Sequence, residues 1–318
     1  MKEFKGFRKG IDLGGWLSQC DYSKERLEGF ITEKDIETIA AWGADHVRLP
    51  IDFNILEDGA GGYSETGFGY VSGAVDMCRR NGLNIVIDLH KTAGFSFDKG
   101  ECETGFFESV ELQARFYRLW EEIARRFGND PVHIAFELLN EVTDKEYSPV
   151  WNRIAKECIK HIRAIAPETV ILVGSYWNNS VEAVKDLDPP YDDRIVYNFH
   201  CYDPLLFTHQ HAAWVDPERF DVSKDMTYAE SGATAEYFEK LFAEAIRTAK
   251  ANDTVLYCGE YGVIDKAAPE DILNWYKAIN SAFEKYNICR CTWSYKEMDF
   301  GLSDKRLDGV REELLKYI

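Results

Sequence analysis

Two short stretches carry more charge than a buried segment tolerates. "FELLNEV" (136–142) sets Glu137, Asn140 and Glu141 in a run whose flanks read as a core strand, and "LYCGEYG" (256–262) does the same with Glu260. A buried amide or carboxylate is costly unless it finds a partner, so such groups at a strand end point to a cleft in which they act. Two carboxyls facing each other across a cleft are the apparatus for breaking a glycosidic bond: one protonates the departing oxygen while the other attacks the anomeric carbon or activates water. Arg48 in "DHVRLP", His90 in "NIVIDLH", His200 with Tyr202 in "IVYNFHCY", and Trp293 in "CTWSY" likewise close apolar runs. Taken singly, each has a plain structural reading: an ion-pair partner, a core histidine satisfied by backbone, a packed indole. Their convergence on one rim favours chemistry.

That rim requires elements to build it. Strand-like runs fall at 11–15, 45–51, 84–90, 134–142, 169–174, 194–200, 254–262 and 288–295. Most are apolar and β-branched, as parallel strands covered on both faces are. Between them run helical patterns, such as Phe116, Leu119, Trp120, Ile123 and Phe127 with Gly128 as a stop, and Thr32 reads as an N-cap with Asp35 three positions on. The alternation predicts an α/β fold, a (β/α)8 TIM barrel forming one catalytic domain over 1–318, with an elaborated loop region after strand 6. An open doubly wound sheet is the competitor, but "IDLGGWLSQ" does not match its glycine-rich phosphate turn.

In such a barrel catalytic groups gather at the C-terminal strand ends. Glu141 on strand 4 and Glu260 on strand 7 are not adjacent in the ring, so they can face each other. Strict alternation would put Asn140 and Glu141 on opposite faces, so strand 4 is expected to twist or bulge at its end. Glu137 is expected in the lumen as a paired structural carboxylate.

Composition narrows the partners. With 45% hydrophobic and 29% charged residues the chain can bury a sizeable core, and its net charge of −18 argues against nucleic acid or an anionic membrane. A neutral substrate fits better. No apolar run approaches a membrane span and the N-terminus lacks the apolar core of a signal peptide, which places the protein in the cytoplasm, or outside the cell if a leader precedes this sequence. The eight cysteines are expected as structural thiols, and Cys289-x-Cys291 without a second pair is a weak zinc signal. A metal-dependent barrel hydrolase would draw on His90, His200, His209 and His211, but strand 1 has no H-x-H and "HQH" falls in a loop. Neither metal nor cofactor is expected, and a monomer is. "NNS" at 178–180 matches a glycosylation acceptor and is assigned no role in an unsecreted bacterial chain.

The pattern resembles the family 5 glycoside hydrolases, the large cellulase family of retaining barrel enzymes. Within it the chain looks closest to bacterial endo-β-glucanases acting on cellulose-like and mixed-linkage glucans. The resemblance runs from "GIDLGGWLSQ" through "ITEKDIETIA", "DHVRLP", "HIAFELLNEV", "IVYNFHCYDPLLFTHQ" and "LYCGEYGV" to "TWSYKEMDF". It implies that Glu141 is the general acid/base and Glu260 the nucleophile, with Arg48 and Tyr202 holding the nucleophile's carboxylate. It further implies that His90 and Asn140 bind sugar hydroxyls before the cut, that His200 lies beside the acid/base, and that Trp293 stacks under the sugar. The implied activity is retaining, endo-acting cleavage of β-1,4 linkages in β-glucan chains. A β-mannanase, an exo-1,3-glucanase and a non-catalytic glucan-binding barrel are the alternatives. Arg48 is expected to lower the pKa of Glu260. Trp177 and Trp214 are expected as further sugar platforms, drawn from rim aromatics that also include Phe95, Phe97, Phe207 and Tyr295.

Overall fold

The computed structural model describes every residue except Met1, Lys99 and Cys102. Its eight strands are β1 (Lys9–Asp12), β2 (His46–Asp52), β3 (Asn84–Lys91), β4 (Ile134–Glu137), β5 (Ile171–Val173), β6 (Ile195–Cys201), β7 (Val255–Tyr261) and β8 (Cys289–Thr292). All pair in parallel and in chain order, and β8 returns to β1 to close the barrel. Closure leaves no open strand edge. The longer helices, Glu65–Arg80, Val110–Phe127, Ser148–Arg163, Ala235–Ala251 and Pro269–Tyr286, alternate with the strands as the sequence predicts. Their apolar stripes, Phe116, Leu119, Trp120 and Ile123 among them, form one cluster with outward strand residues such as Val47, Leu49, Ile85 and Ile87.

The lumen holds two different layers. The lower one is apolar: Val86, Ala135, Leu172, Val196, Val255, Tyr257, Cys289 and Cys291 pack with Phe4 and Phe7, whose rings stack 4.2 Å apart. Cys289 and Cys291 are therefore core side chains, and the seven cysteines among the described residues are all free thiols. The upper layer is polar and fully buried, with Asp12, Arg48, Asp88, Glu137 and Asn198. These polar residues share the inward parity of the apolar layer: Val86 with Asp88, Ala135 with Glu137, Val196 with Asn198.

Several expectations are refined. The Thr32–Asp35 cap is present, the Asp35 carboxylate accepting from the Thr32 backbone N–H at 2.8 Å and from its hydroxyl at 2.7 Å. Gly128 does end its helix, yet with φ −75° it needs no left-handed freedom. A Cβ there would lie 2.3 Å from that of Ala166, so close packing explains the glycine. The region after β6 carries short helices at Leu205–Thr208 and Tyr228–Ser231 before the long helix from Ala235. Strand β4 is shorter than expected, ending at Glu137 rather than 142. No helix among the described residues is long and apolar enough to cross a membrane.

Candidate active site

Arg48 is the hub. Its Nε and Nη2 form a fork on Glu137 at 2.7 and 3.0 Å, and Nη1 reaches Asp12 at 3.0 Å and Glu260 at 2.8 Å. Nη2 also donates to Asn140 Oδ1 at 2.8 Å and lies 3.0 Å from Asp88. Glu137 is thus the paired lumen carboxylate expected, and Asn198 donates to it as well at 2.8 Å. Only a planar guanidinium has enough donors in fixed directions to serve this many acceptors.

Glu260 reaches the hub through a bulge. Phe199 pairs with Cys258 but His200 pairs with Glu260, leaving Gly259 as an extra residue in β7. Without it, the alternation that turns Val255 and Tyr257 inward would send Glu260 out of the barrel. A side chain at 259 would put its Cβ 2.6 Å from Asn198 Oδ1, so the bulge takes glycine. On strand 4 the expected bulge is absent. The strand stops, Asn140 N–H bonds to Leu89 O at 3.2 Å, and Glu141 takes a left-handed φ of 46°. Leaving β structure frees Asn140 and Glu141 from alternation, so both reach the same cleft.

The two glutamates meet over His200. Its Nδ1 lies 2.8 Å from Glu141 Oε1 and 3.6 Å from Glu260 Oε2. Oxygens of both carboxyls and a His200 nitrogen fall within 4.8 Å of one another. Tyr202 donates its hydroxyl to Glu260 Oε2 at 2.9 Å, and Asn178 Nδ2 donates to Glu141 Oε2 at 3.0 Å. Three such donors could suit a small cation, but each carboxylate oxygen is already engaged by a protein group and Arg48 places a fixed positive charge on the same side. The set fits proton chemistry better than ion binding.

His90 sits against Asp88 at 2.6 Å, with its ring parallel to that of Trp293, centroids 6.0 Å apart. Phe97 meets His90 edge-on at 4.9 Å. The Asn140 Nδ2 group is buried without a protein partner, a donor left over for something entering the cleft. Trp177 and Trp214 are each 46% exposed. Trp177 immediately precedes Asn178, and Trp214 lies 6.0 Å from His209, which packs edge-on against Tyr202. Phe95, Phe207 and Tyr295, by contrast, are buried in the core and offer no open face. His209 is buried, and His211 turns away to Asp225 at 2.7 Å. The four histidines of the metal alternative do not form one cluster.

Electrostatics corrects one expectation. Burial pushes Glu141 up to about 7, opposed by the Asn178 hydrogen bond and by Arg48. Burial also pushes Glu260 to about 7, against the pull of His200 and Arg48 and with the help of Glu141. Arg48 thus acts in the expected direction, but desolvation of the carboxylate outweighs it. His200 is itself held down to about 4 by burial and is neutral at working pH, which leaves Arg48 as the cation acting on Glu260. The two carboxyls share one cleft and lose their protons in sequence. Glu260 has Arg48 and Tyr202 as donors, and Glu141 has Asn178.

Sequence reading missed Asp12, Asp88, Asn198, Asn178 and Asn179. A signal existed for two of them: Asp88 and Asn198 stand two residues before His90 and His200, on the same inward face.

A closed parallel barrel with two facing glutamates at the strand ends, one held by an arginine and both pushed upward by burial in one cleft, defines the class of barrel glycoside hydrolases. The family model for cellulase, glycosyl hydrolase family 5, matches residues 9–299. Cellodextrinase A of Ruminococcus flavefaciens is 56% identical over 91% of this chain and 86% of its own length. Endoglucanase C of Acetivibrio thermocellus is 38% identical over 98% of both. The endoglucanase Cel5A of the hyperthermophilic Thermotoga maritima, at 24% identity, superposes with a TM-score of 0.83 over 98% of this chain and 97% of its own, which shows the shared fold. The chain belongs to the cellulase family, glycosyl hydrolase family 5.

Proposed function

We propose that this enzyme hydrolyses β-1,4 linkages inside β-glucan chains, cellulose-like or mixed-linkage, by double displacement with retention. The observation that carries the reading is the pair Glu141 and Glu260, one oxygen of each within 4.8 Å of the other, a close approach that supports the narrower spacing of a retaining pair. Retaining enzymes need carboxyls about 5–5.5 Å apart, while inverting ones need more room for water. In the first step ionised Glu260 attacks the anomeric carbon. The glycosidic C–O bond breaks, and the departing oxygen takes the proton of Glu141. In the second step Glu141, now ionised, takes a proton from water as that water attacks the same carbon and releases Glu260. The unpartnered Asn140 Nδ2 supports binding of a sugar hydroxyl, and Trp293, buried beside the cleft with its ring parallel to that of His90, supports a stacking role under the pyranose. Trp177 and Trp214 extend the cleft as open platforms. The names of the relatives, a cellodextrinase and an endoglucanase, support a glucan or its oligosaccharides as substrate.

The test has two parts. Carboxymethylcellulose and lichenan should lose viscosity early relative to reducing-end release, while laminarin and mannan resist. Glu260→Ala, given an aryl β-cellobioside with a good leaving group and azide, should form the α-configured glycosyl azide. A β-configured azide from this variant would reverse the two roles, and equal cleavage of mannan would move the enzyme to the mannanase alternative.

A further inference from the structure

The turn after β5 holds three consecutive residues in the left-handed region: Trp177 at φ 51°, Asn178 at 56° and Asn179 at 55°. Such a conformation is strained for a non-glycine residue, and asparagine tolerates it better than most. Backbone bonds hold the turn to the chain leaving β4: Trp177 N–H donates to Thr143 O at 3.1 Å and Asn178 N–H to Val142 O at 3.0 Å. Its far end bridges Ser180 to His200 on β6. The turn therefore spans the segment carrying Glu141 and the strand carrying His200, and it aims one amide at each. Asn178 Nδ2 meets Glu141 Oε2 at 3.0 Å, and Asn179 Nδ2 lies 3.4 Å from His200 Nε2. Asn179 is fully buried and its Oδ1 has no partner.

We propose that the Trp177–Asn179 turn is a positioning device for the proton in flight, with Asn178 steadying ionised Glu141 and Asn179 selecting the tautomer of His200. The proposal rests on the reading of Glu141 as the acid/base. With its amide turned over, Asn179 presents the orphaned Oδ1 to His200 Nε2–H and satisfies both groups. Nδ1 then carries no proton and accepts from Glu141 Oε1–H, which holds the acid's proton inside the cleft until the leaving oxygen takes it. Once Glu141 is ionised, the Asn178 donor favours that state and readies the carboxylate to receive a proton from water. The other titratable and charged groups around Glu141 are His200 on β6, Glu260 on β7, Arg48 on β2, Glu137 on β4, Asp88 on β3, Asp98 in the loop after β3, and Tyr202 after β6. Asn178 is the neutral donor that adjusts Glu141 without adding charge.

The experiment is the pH profile of kcat/KM on an aryl β-cellobioside with a poor leaving group, for wild type, Asn178→Ala, Asn178→Gln and Asn179→Ala. Asn178 is exposed, so its replacement opens no cavity; alanine and glutamine share the strain of its left-handed φ of 56°, so the comparison of the two isolates the amide. Asn178→Ala should move the alkaline limb upward by about one to two pH units, as loss of one hydrogen bond to a charged acceptor implies, and Asn178→Gln should restore part of it. In deglycosylation, read as kcat on a substrate with a good leaving group, the acidic limb, which reports ionisation of Glu141 as the base, should move upward in Asn178→Ala in the same sense. An alkaline limb that stays in place in Asn178→Ala, or a change confined to KM, overturns the proposal. If Asn179→Ala folds, poor leaving groups should suffer more than good ones; equal loss on both overturns the tautomer role. Glu141→Gln separates the two readings. If that variant keeps the alkaline limb, the acid/base assignment itself fails, whatever Asn178 does.

Discussion

Each residue around Arg48 is set by a charge imbalance. Four carboxylates lie within 3.0 Å of one guanidinium, Asp12, Asp88 and Glu137 in the buried lumen and Glu260 at its mouth. One cation cannot neutralise four anions, so burial pushes the group upward: Asp12 well above its ordinary value and Asp88 to about 7. Such a cluster is weak evidence for stability, because desolvation offsets much of the Coulomb attraction. Its value is positional, since it leaves Glu260 one orientation. The sign of the pH effect follows. The native state binds a proton at Asp88 that the unfolded chain releases near the ordinary value of 3.8. That stability is fully present below about 4 and is lost as pH rises through about 7, on the order of 2–4 kcal/mol. In Asp88→Asn the fall in unfolding free energy between pH 5 and 8, followed by urea titration, should shrink. An unchanged fall would show that Asp88 is ionised across that range in the folded protein.

At the scale of elements, the barrel's regular parts were legible and its functional ends were not. The eight strands stood out because both faces are buried and the residues are apolar and β-branched, and the helices because their stripes keep a 3.6-residue period. Errors gathered at the mouth. "FELLNEV" reads as one apolar run, yet β4 stops at Glu137: Leu138 and Asn140 keep single backbone bonds to Leu172 and Leu89 on the flanking strands, and the chain turns off at Glu141 with its left-handed φ. The bulge in β7 leaves no trace in hydrophobicity; Gly259 is its one mark. The left-handed turn at Trp177–Asn179 has only its two asparagines as a cue. The pKa of Glu260 was misjudged for a related reason: the arginine beside it was legible, but the depth of burial was not. The bulge makes its own prediction. Gly259→Ala forces a Cβ against Asn198, which supports Glu137 and through it Arg48. A shift of about 1 Å in a reacting group costs about 10²-fold in rate, so kcat should fall by that order while thermal unfolding shows a loss of about 1–3 kcal/mol. Wild-type kcat in Gly259→Ala would mean that the bulge does not set the position of Glu260.

Seen whole, the molecule assigns its two ends to different tasks. Phe4 and Phe7 close the lower end over an apolar layer, and the opposite end carries the polar cluster and, at its mouth, the strand-end residues picked out from sequence, Arg48 excepted. Of the eight residues that carry the family resemblance, His90, Asn140, Glu141, His200, Tyr202, Glu260 and Trp293 lie at that mouth because parallel strands point all their C-terminal ends one way; Arg48, expected at a strand end, sits lower, within β2 and buried in the lumen, and reaches Glu260 from there. Trp177 and Trp214 stand further out, and they are where preference among glucans is expected to reside. The central claim, that Glu260 becomes esterified to sugar during turnover, admits a direct measurement. The enzyme is inactivated with an activated 2-deoxy-2-fluoro-β-cellobioside, digested, and mapped by mass spectrometry. The account predicts one cellobiosyl adduct, on the peptide containing Glu260, with activity returning as the ester is released. An adduct on Glu141, or turnover through an inverted product with no adduct at all, would contradict it.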